Sequence, residues 1–211
     1  LQQRPEDLER IVGKANILTN LCVAYKNLGR SSEALETYSE AIVALRGVLK
    51  KVPAHSSALN ELALVRHDQS TLLQSLGHKD QALEAHQEAF DIRRQLQQRY
   101  PEYPMYRTFL ARSHRTQAFY LQLDRKLDAS LKEHQAALTL ITPLIEKFPD
   151  IYDYQLDVIN TLIGAIRVCQ LADNAKDGRQ LLEQLANRAR AGGATLTELE
   201  AATFDAVAIR L

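Results

Sequence analysis

The chain of 211 residues has little of what disulfide frameworks, metal sites and membrane spans require. It contains no Trp, and its only two cysteines, Cys22 and Cys169, are too far apart in sequence to form a metal-binding pair. No apolar run reaches the roughly 18 residues that a membrane span needs, and no signal-peptide pattern opens the chain. We therefore expect no membrane contact by these residues and a reducing, cytoplasmic setting.

An excess of charge of one sign is also absent. Lys plus Arg and Asp plus Glu each number 26, so no overall field attracts nucleic acid or an anionic membrane. Only eight Gly and six Pro interrupt a chain in which Ala, Leu, Glu, Gln and Arg recur, and this mixture favours helix over sheet. Because the chain begins at Leu1 rather than Met, we expect it to be a piece of a longer protein.

One pattern recurs throughout the chain at a fixed interval. Pro5, Pro53, Pro101 and Pro149 are each 48 residues apart, and columns of Leu, Ala and Gly follow the same interval. Within each unit, apolar residues at spacings of three and four predict helices. Gly29 separates two such stripes at a point where a helix end favours positive φ, and a proline stops the second stripe. Each unit is therefore predicted to be an antiparallel hairpin of a helix A and a helix B.

The repeats predict the organisation of the whole chain. We expect one all-α domain over residues 1–211, a right-handed superhelical solenoid of antiparallel helix hairpins. The fourth repeat is degenerate, since Asp173 stands in the column of the turn glycine. The last helix either covers the open end of the array or opens a further repeat. The predicted repeats span about 5–52, 53–100, 101–148 and 149–193, and the terminal capping helix spans about 195–210.

The repeated residues resemble a known superfamily, the tetratricopeptide repeats (TPR), although the period here is 48 rather than the usual 34 residues. The segment YPEYPMYRTFLARSH, residues 100–114, resembles the long-armed arrays attached to bacterial serine/threonine protein kinases. The resemblance implies a concave groove, lined by the A helices, that binds a peptide or partner protein. The residues that carry the superfamily match are Leu18, Leu21, Cys22, Tyr25, Gly29, Ala34, Tyr38 and Ala41, followed by Gly77, Ala82 and Ala89.

The superfamily's groove columns, transferred to this sequence, contain no acidic residue. Twenty positions are involved and four are Lys or Arg, whereas composition alone predicts about two or three Asp or Glu. Chance sampling is one explanation. The other is a mildly basic groove, centred on Arg112 and Arg115, that binds an acidic or carboxylate-terminated segment with Phe119 as an aromatic anchor. The candidate groove residues are Lys26, His67, Arg112, Arg115, Phe119, Gln122 and Arg167.

Searches for catalytic chemistry find no motif. The sequence contains no Gly-rich phosphate loop, H-E-x-x-H, clustered C-x-x-C or G-x-S-x-G pattern, and no kinase signature. His86 and His134 share a packing column with Tyr38 and are predicted to be core residues rather than metal ligands. We expect no catalytic residue, cofactor or metal, and a non-catalytic scaffold or recognition module. The alternatives are a regulatory repeat region of a bacterial serine/threonine kinase and a helical enzyme with a cryptic site in the fourth repeat.

Overall fold

The computed structural model of the chain describes residues 5–172 and residue 180. Seven α-helices and no strand occur in this part of the chain, as the all-α prediction requires. The predicted helix B of the fourth repeat and the capping helix at 195–210 lie outside the described residues. The helices are α1 (Pro5–Asn27), α2 (Ser31–Lys51), α3 (Ser56–Ser75), α4 (Lys79–Arg99), α5 (Pro104–Leu123), α6 (Leu127–Lys147) and α7 (Tyr152–Leu171).

The turns between helix A and helix B share one backbone conformation. Gly29 and Gly77 have φ of 71° and 81°, in the left-handed region that glycine adopts without a Cβ clash. Arg125 occupies the same column in the third hairpin and adopts φ of 58°. In the first turn the N–H of Arg30 donates to the Tyr25 carbonyl at 2.9 Å, which caps the end of α1. The helices therefore reverse direction where the glycine column predicts.

The chain divides into two compact units, Leu1–Pro101 and Glu102–Leu211, here called unit 1 and unit 2. In unit 1, α1 pairs with α2 and α3 with α4, and α3 packs against both helices of the first hairpin. In unit 2, α5 pairs with α6, and α7 packs against both of them. The boundary falls beside Pro101, at the predicted start of the third repeat. Helix A of one repeat therefore rests on the hairpin of the repeat before it within each unit.

Small and medium side chains fill the repeated packing columns. Ala41, Ala89 and Ala137 are fully buried at the same position of α2, α4 and α6, which lets each helix B approach its helix A closely. His86 and His134 lie one turn earlier in the same helices and are also buried. The prediction that these two histidines are core residues is confirmed.

His134 packs directly against the backbone of α7. A Cβ added at Gly164 would lie 2.4 Å from Cε1 and 2.9 Å from Nε2 of the buried imidazole. Burial, together with the smaller effect of the nearby positive charge of Arg115, lowers the pKa of His134 to about 4. The imidazole is therefore neutral at neutral pH, and the contact of α6 with α7 depends on the absence of a side chain at position 164.

We expect Gly164→Ala to destabilise the protein, because its methyl group meets the buried imidazole. The expected loss is about 1–3 kcal/mol of unfolding free energy, the usual cost of overpacking. The measurement is urea denaturation of the full chain. Gly47→Ala is the control, since a Cβ there meets nothing within 4 Å and should stabilise by about 0.5–1 kcal/mol. In a His134→Ala background the penalty of Gly164→Ala should disappear, and a persistent penalty contradicts the contact.

We also expect His134 to make stability depend on pH. Its folded pKa of about 4 lies below the ordinary 6.5, so the unfolded chain binds a proton between these values that the folded chain does not. Stability is therefore complete above pH 6.5 and falls as the pH drops towards 4, by roughly 3 kcal/mol from this residue. The check is the difference in unfolding free energy between wild type and His134→Gln, which should shrink over this interval. A constant difference contradicts the prediction.

Candidate functional site

A buried carboxylate joins successive A helices in each unit. Glu61 on α3 and Asp157 on α7 occupy the same repeat column, and both are buried, with 6% and 4% of their surface exposed. Each receives bonds from two residues three apart on the preceding helix A. A buried charge is costly unless it is paired or hydrogen-bonded, so these contacts set the position of α3 against α1 and of α7 against α5.

In unit 2 the donors are two arginines. Arg112 Nε donates to both carboxylate oxygens of Asp157, at 3.0 and 2.9 Å, and Arg112 Nη2 lies 2.9 Å from Oδ2. Arg115 Nη1 donates to Oδ1 at 2.9 Å. Burial lowers the pKa of Arg115, with Arg112 adding to the effect and Asp157 opposing it. Two guanidinium groups share one carboxylate, so the cluster carries one positive charge that it does not neutralise itself.

In unit 1 the donors in the same columns are uncharged. Asn16 Nδ2 lies 3.3–3.4 Å from the carboxylate oxygens of Glu61, and Thr19 Oγ1 donates to Oε1 at 3.2 Å. The cluster of Glu61, Asn16 and Thr19 therefore has one negative charge and neutral partners. This cluster and that of Arg112, Arg115 and Asp157 are here called the two locks. The net charges of the two locks therefore differ by two elementary charges, although their contact patterns are the same.

The predicted groove residues are distributed over both units. Lys26 and His67 lie half-buried on α1 and α3 of unit 1. Arg112, Arg115, Phe119 and Gln122 lie on α5, and Arg167 lies exposed on α7, all in unit 2. Unit 2 thus brings five of the seven onto two neighbouring helices.

Lys26 is compensated by a carboxylate that the groove columns do not include. Burial raises the pKa of Asp68, and the positive charges of Lys26 and Arg93 oppose that rise. Glu61 and Asp157 likewise lie outside the groove columns, one helical turn before the first of them. The absence of acidic residues from the twenty groove positions therefore overstates the positive charge of the surface. The repeat of an acid in the column of Glu61 and Asp157 is the signal in the sequence from which these partners could have been predicted.

The described residues offer no activated nucleophile or metal cluster at these positions. Burial raises the pKa of the Cys22 thiol to about 11, with the charge of Asp68 adding to the effect, so the thiol is protonated at neutral pH. Within residues 5–172, no group of three or more His, Cys, Asp or Glu is placed to hold a metal ion. In the same part of the chain, no helix is long and apolar enough to cross a membrane. The predicted groove residues on α5 and α7 offer positive charge and exposed apolar area.

We expect Asp157→Asn to destabilise the protein more than Glu61→Gln. The first change leaves two adjacent guanidinium groups without their carboxylate, at a cost of about 2–4 kcal/mol. The second keeps neutral hydrogen bonds to Asn16 and Thr19, and should cost less than about 1 kcal/mol. Urea denaturation of both full-length variants is the measurement. Equal losses contradict the proposed difference between the two locks.

No protein-family model matches the chain, and no curated protein matches it. The solved structures do provide matches. BtubC (BKLC) from P. vanneervenii superposes with a TM-score of 0.66 at 17% identity, over 92% of this chain and 68% of that chain. The nearly identical TPR-like repeats of a kinesin light chain candidate from Podosopora anserina superpose with a TM-score of 0.66 at 15% identity. That match covers 94% of this chain and 86% of the other.

Similarity at this level of identity concerns the fold. The matched structures include TPR-like repeats, and six of the seven described helices form three antiparallel hairpins of the kind that such repeats require. The predicted resemblance to the superfamily, made from columns such as Gly29 and Ala41, is confirmed at the level of the fold. The chain is an all-α helical repeat protein with a TPR-like fold.

Proposed function

We propose that the chain is a non-catalytic protein-interaction module and that unit 2 binds an acidic, partly apolar segment of a partner protein along α5 and α7. The observation that carries the proposal is the charge surplus of the Arg112–Arg115–Asp157 cluster beside exposed apolar side chains. A carboxylate of the partner balances that surplus in a charge-assisted contact. The cytoplasm is the proposed location, in keeping with the two free, buried cysteines.

The exposed side chains of α5 lie on the same face as the arginines. Arg112, Arg115, Phe119 and Leu123 follow spacings of three and four, which places them along one side of the helix. Phe119 is 46% exposed and Leu123 is exposed to a similar extent. A large aromatic side chain at such a position is the kind of residue that contributes most to a protein interface.

Helix α7 offers the matching columns. Arg167 occupies the column of Phe119 and is exposed, and Leu171 occupies the column of Leu123 and is also exposed. Positive charge therefore occurs at both ends of this surface, with apolar area beside it. A partner segment that carries carboxylates together with one or two apolar side chains complements that arrangement.

The arginine pair itself is a poor position for a test of binding. Reversal of Arg112 and Arg115 to Glu brings three carboxylates together around buried Asp157, so loss of binding and loss of fold coincide. Phe119 and Arg167 are better positions, because both are exposed and neither takes part in the lock.

We expect Phe119→Asp and Arg167→Glu each to weaken binding of an acidic peptide by about tenfold. Peptides are first selected from a random display library on the full chain, and their affinities are then measured by fluorescence anisotropy. Val43→Asp is the matched control, since Val43 on α2 is 72% exposed and lies outside this surface. Circular dichroism verifies that all variants are folded.

Two results contradict the proposal. One is a selection that shows no enrichment of Asp and Glu. The other is an affinity that Phe119→Asp and Val43→Asp lower equally. A fall in affinity with rising salt accompanies the expected result, because part of the binding free energy is electrostatic.

Association with a bacterial serine/threonine kinase is a finer proposal that depends on the resemblance of residues 100–114. Under this proposal the repeats are a regulatory or sensing region that recruits a partner to the kinase. The genomic sequence around the coding region is the direct test, since a kinase domain carries recognisable glycine-loop and catalytic-loop motifs.

A further inference from the structure

The carboxylate of Glu61, in the lock of unit 1, has weak hydrogen-bond partners. Asn16 Nδ2 lies 3.4 and 3.3 Å from its two oxygens, which is longer than the roughly 2.7–3.2 Å of an ordinary N–H···O bond. The hydroxyl of Thr19 has one proton, and the Ala15 carbonyl at 2.9 Å competes for it with Glu61 Oε1 at 3.2 Å. A carboxylate offers about four acceptor positions. The carboxylate of Glu61, only 6% of whose surface is exposed, therefore keeps acceptor capacity and negative charge that these contacts do not satisfy.

The lock of unit 2 shows which group satisfies a carboxylate in this column. Arg112 occupies the column of Asn16, and its Nε donates to both oxygens of Asp157 at 3.0 and 2.9 Å. The Arg112 side chain remains 38% exposed in this contact, whereas that of Asp157 is 5% exposed. The guanidinium group therefore contacts the buried carboxylate from the solvent side. Over Glu61, the same place holds the shorter, neutral amide of Asn16.

The amide of Asn16 is free to move away from Glu61. Asn16 is exposed, and its Oδ1 has one long contact, 3.5 Å from Nδ2 of the exposed Asn20. The column of Asn16 also stays accessible in helices that have a hairpin packed before them, since Leu64 of α3 is half-buried and Asn160 of α7 is exposed. A hairpin packed before α1 therefore leaves this position open. The approach to Glu61 is along the groove side of α1 and α3.

We propose that Glu61 binds an arginine side chain of a partner protein. The guanidinium group displaces the amide of Asn16 and takes the place over Glu61 that the Arg112 guanidinium takes over Asp157, in a charge-assisted contact. The neighbouring side chains of Asn16 and Asn20 are uncharged and do not repel a cation. The inference rests on the proposed function only in that the chain binds partner proteins, because it concerns unit 1 and a basic residue rather than α5, α7 and an acidic one.

A guanidinium group fits this site better than the other biological cations. Its planar fork of donors matches both oxygens of a carboxylate, and it is less strongly hydrated than the ammonium group of lysine, so it tolerates a nearly buried position. A divalent metal ion needs several ligands. Within residues 5–172, no group of three or more His, Cys, Asp or Glu is placed to supply them.

The test uses two display libraries of peptides with the same randomised flanks and either Arg or Gln fixed at the centre. Both are selected on the full chain, and we expect the Arg library to give more binders on wild type. Affinities of the selected peptides are then measured by fluorescence anisotropy. Glu61→Gln, which keeps the shape of the side chain and removes its charge, should weaken binding of the Arg peptides by at least about tenfold.

A second variant separates loss of the site from loss of fold. Asn16→Arg supplies a guanidinium group from α1 itself, as Arg112 does in unit 2, so it should abolish the preference for Arg peptides while raising the urea midpoint. Val43→Arg is the matched control, because it adds the same charge at a position of α2 that is 72% exposed. It should leave the affinity for Arg peptides unchanged.

Three results overturn the proposal. They are equal yields from the two libraries on wild type, a preference for Arg peptides that survives Glu61→Gln, and a preference that survives Asn16→Arg. Phe119→Asp lies in unit 2 and should leave the preference for Arg peptides unchanged. Failure of this inference is therefore distinguishable from failure of the proposed binding of acidic segments.

Discussion

A buried carboxylate on each second helix A is the interaction on which the arrangement of both units depends. Glu61 and Asp157 lose their contact with water when α3 and α7 pack on the preceding hairpins. Their charge is accommodated because two donors on the preceding helix A, one turn apart, point at the same place. A shift of one helix along the other breaks these directional bonds, whereas apolar contacts have no such directional requirement. The carboxylate therefore favours one register of the two helices, most strongly in unit 2, where its donors are charged.

The chemistry of the donors decides what each unit presents to a partner. Neutral Asn16 and Thr19 leave unit 1 with the charge of its carboxylate, whereas Arg112 and Arg115 more than compensate for Asp157 in unit 2. The arginines are thus structural residues first, and their surplus charge is a consequence of that role. In the proposed function, recognition falls to the neighbouring exposed residues Phe119 and Arg167, neither of which bonds to Asp157. This division lets one helical framework present different surfaces in successive repeats.

Helices, hairpin turns and the TPR-like fold follow from the sequence, because they depend on contacts between residues a few positions apart or on columns that recur every 48 residues. The left-handed φ at Gly29 and Gly77 and the burial of His86 and His134 are of this kind. The pairing of Arg112 and Arg115 with Asp157 was not predicted, because the assignment of residues to groove columns does not show which side chain of the next helix A contacts them. The close contact of His134 with Gly164 was missed for the same reason. Local periodicity thus specifies the elements of this protein, whereas the charge of its surface depends on which faces of neighbouring helices meet when the hairpins pack.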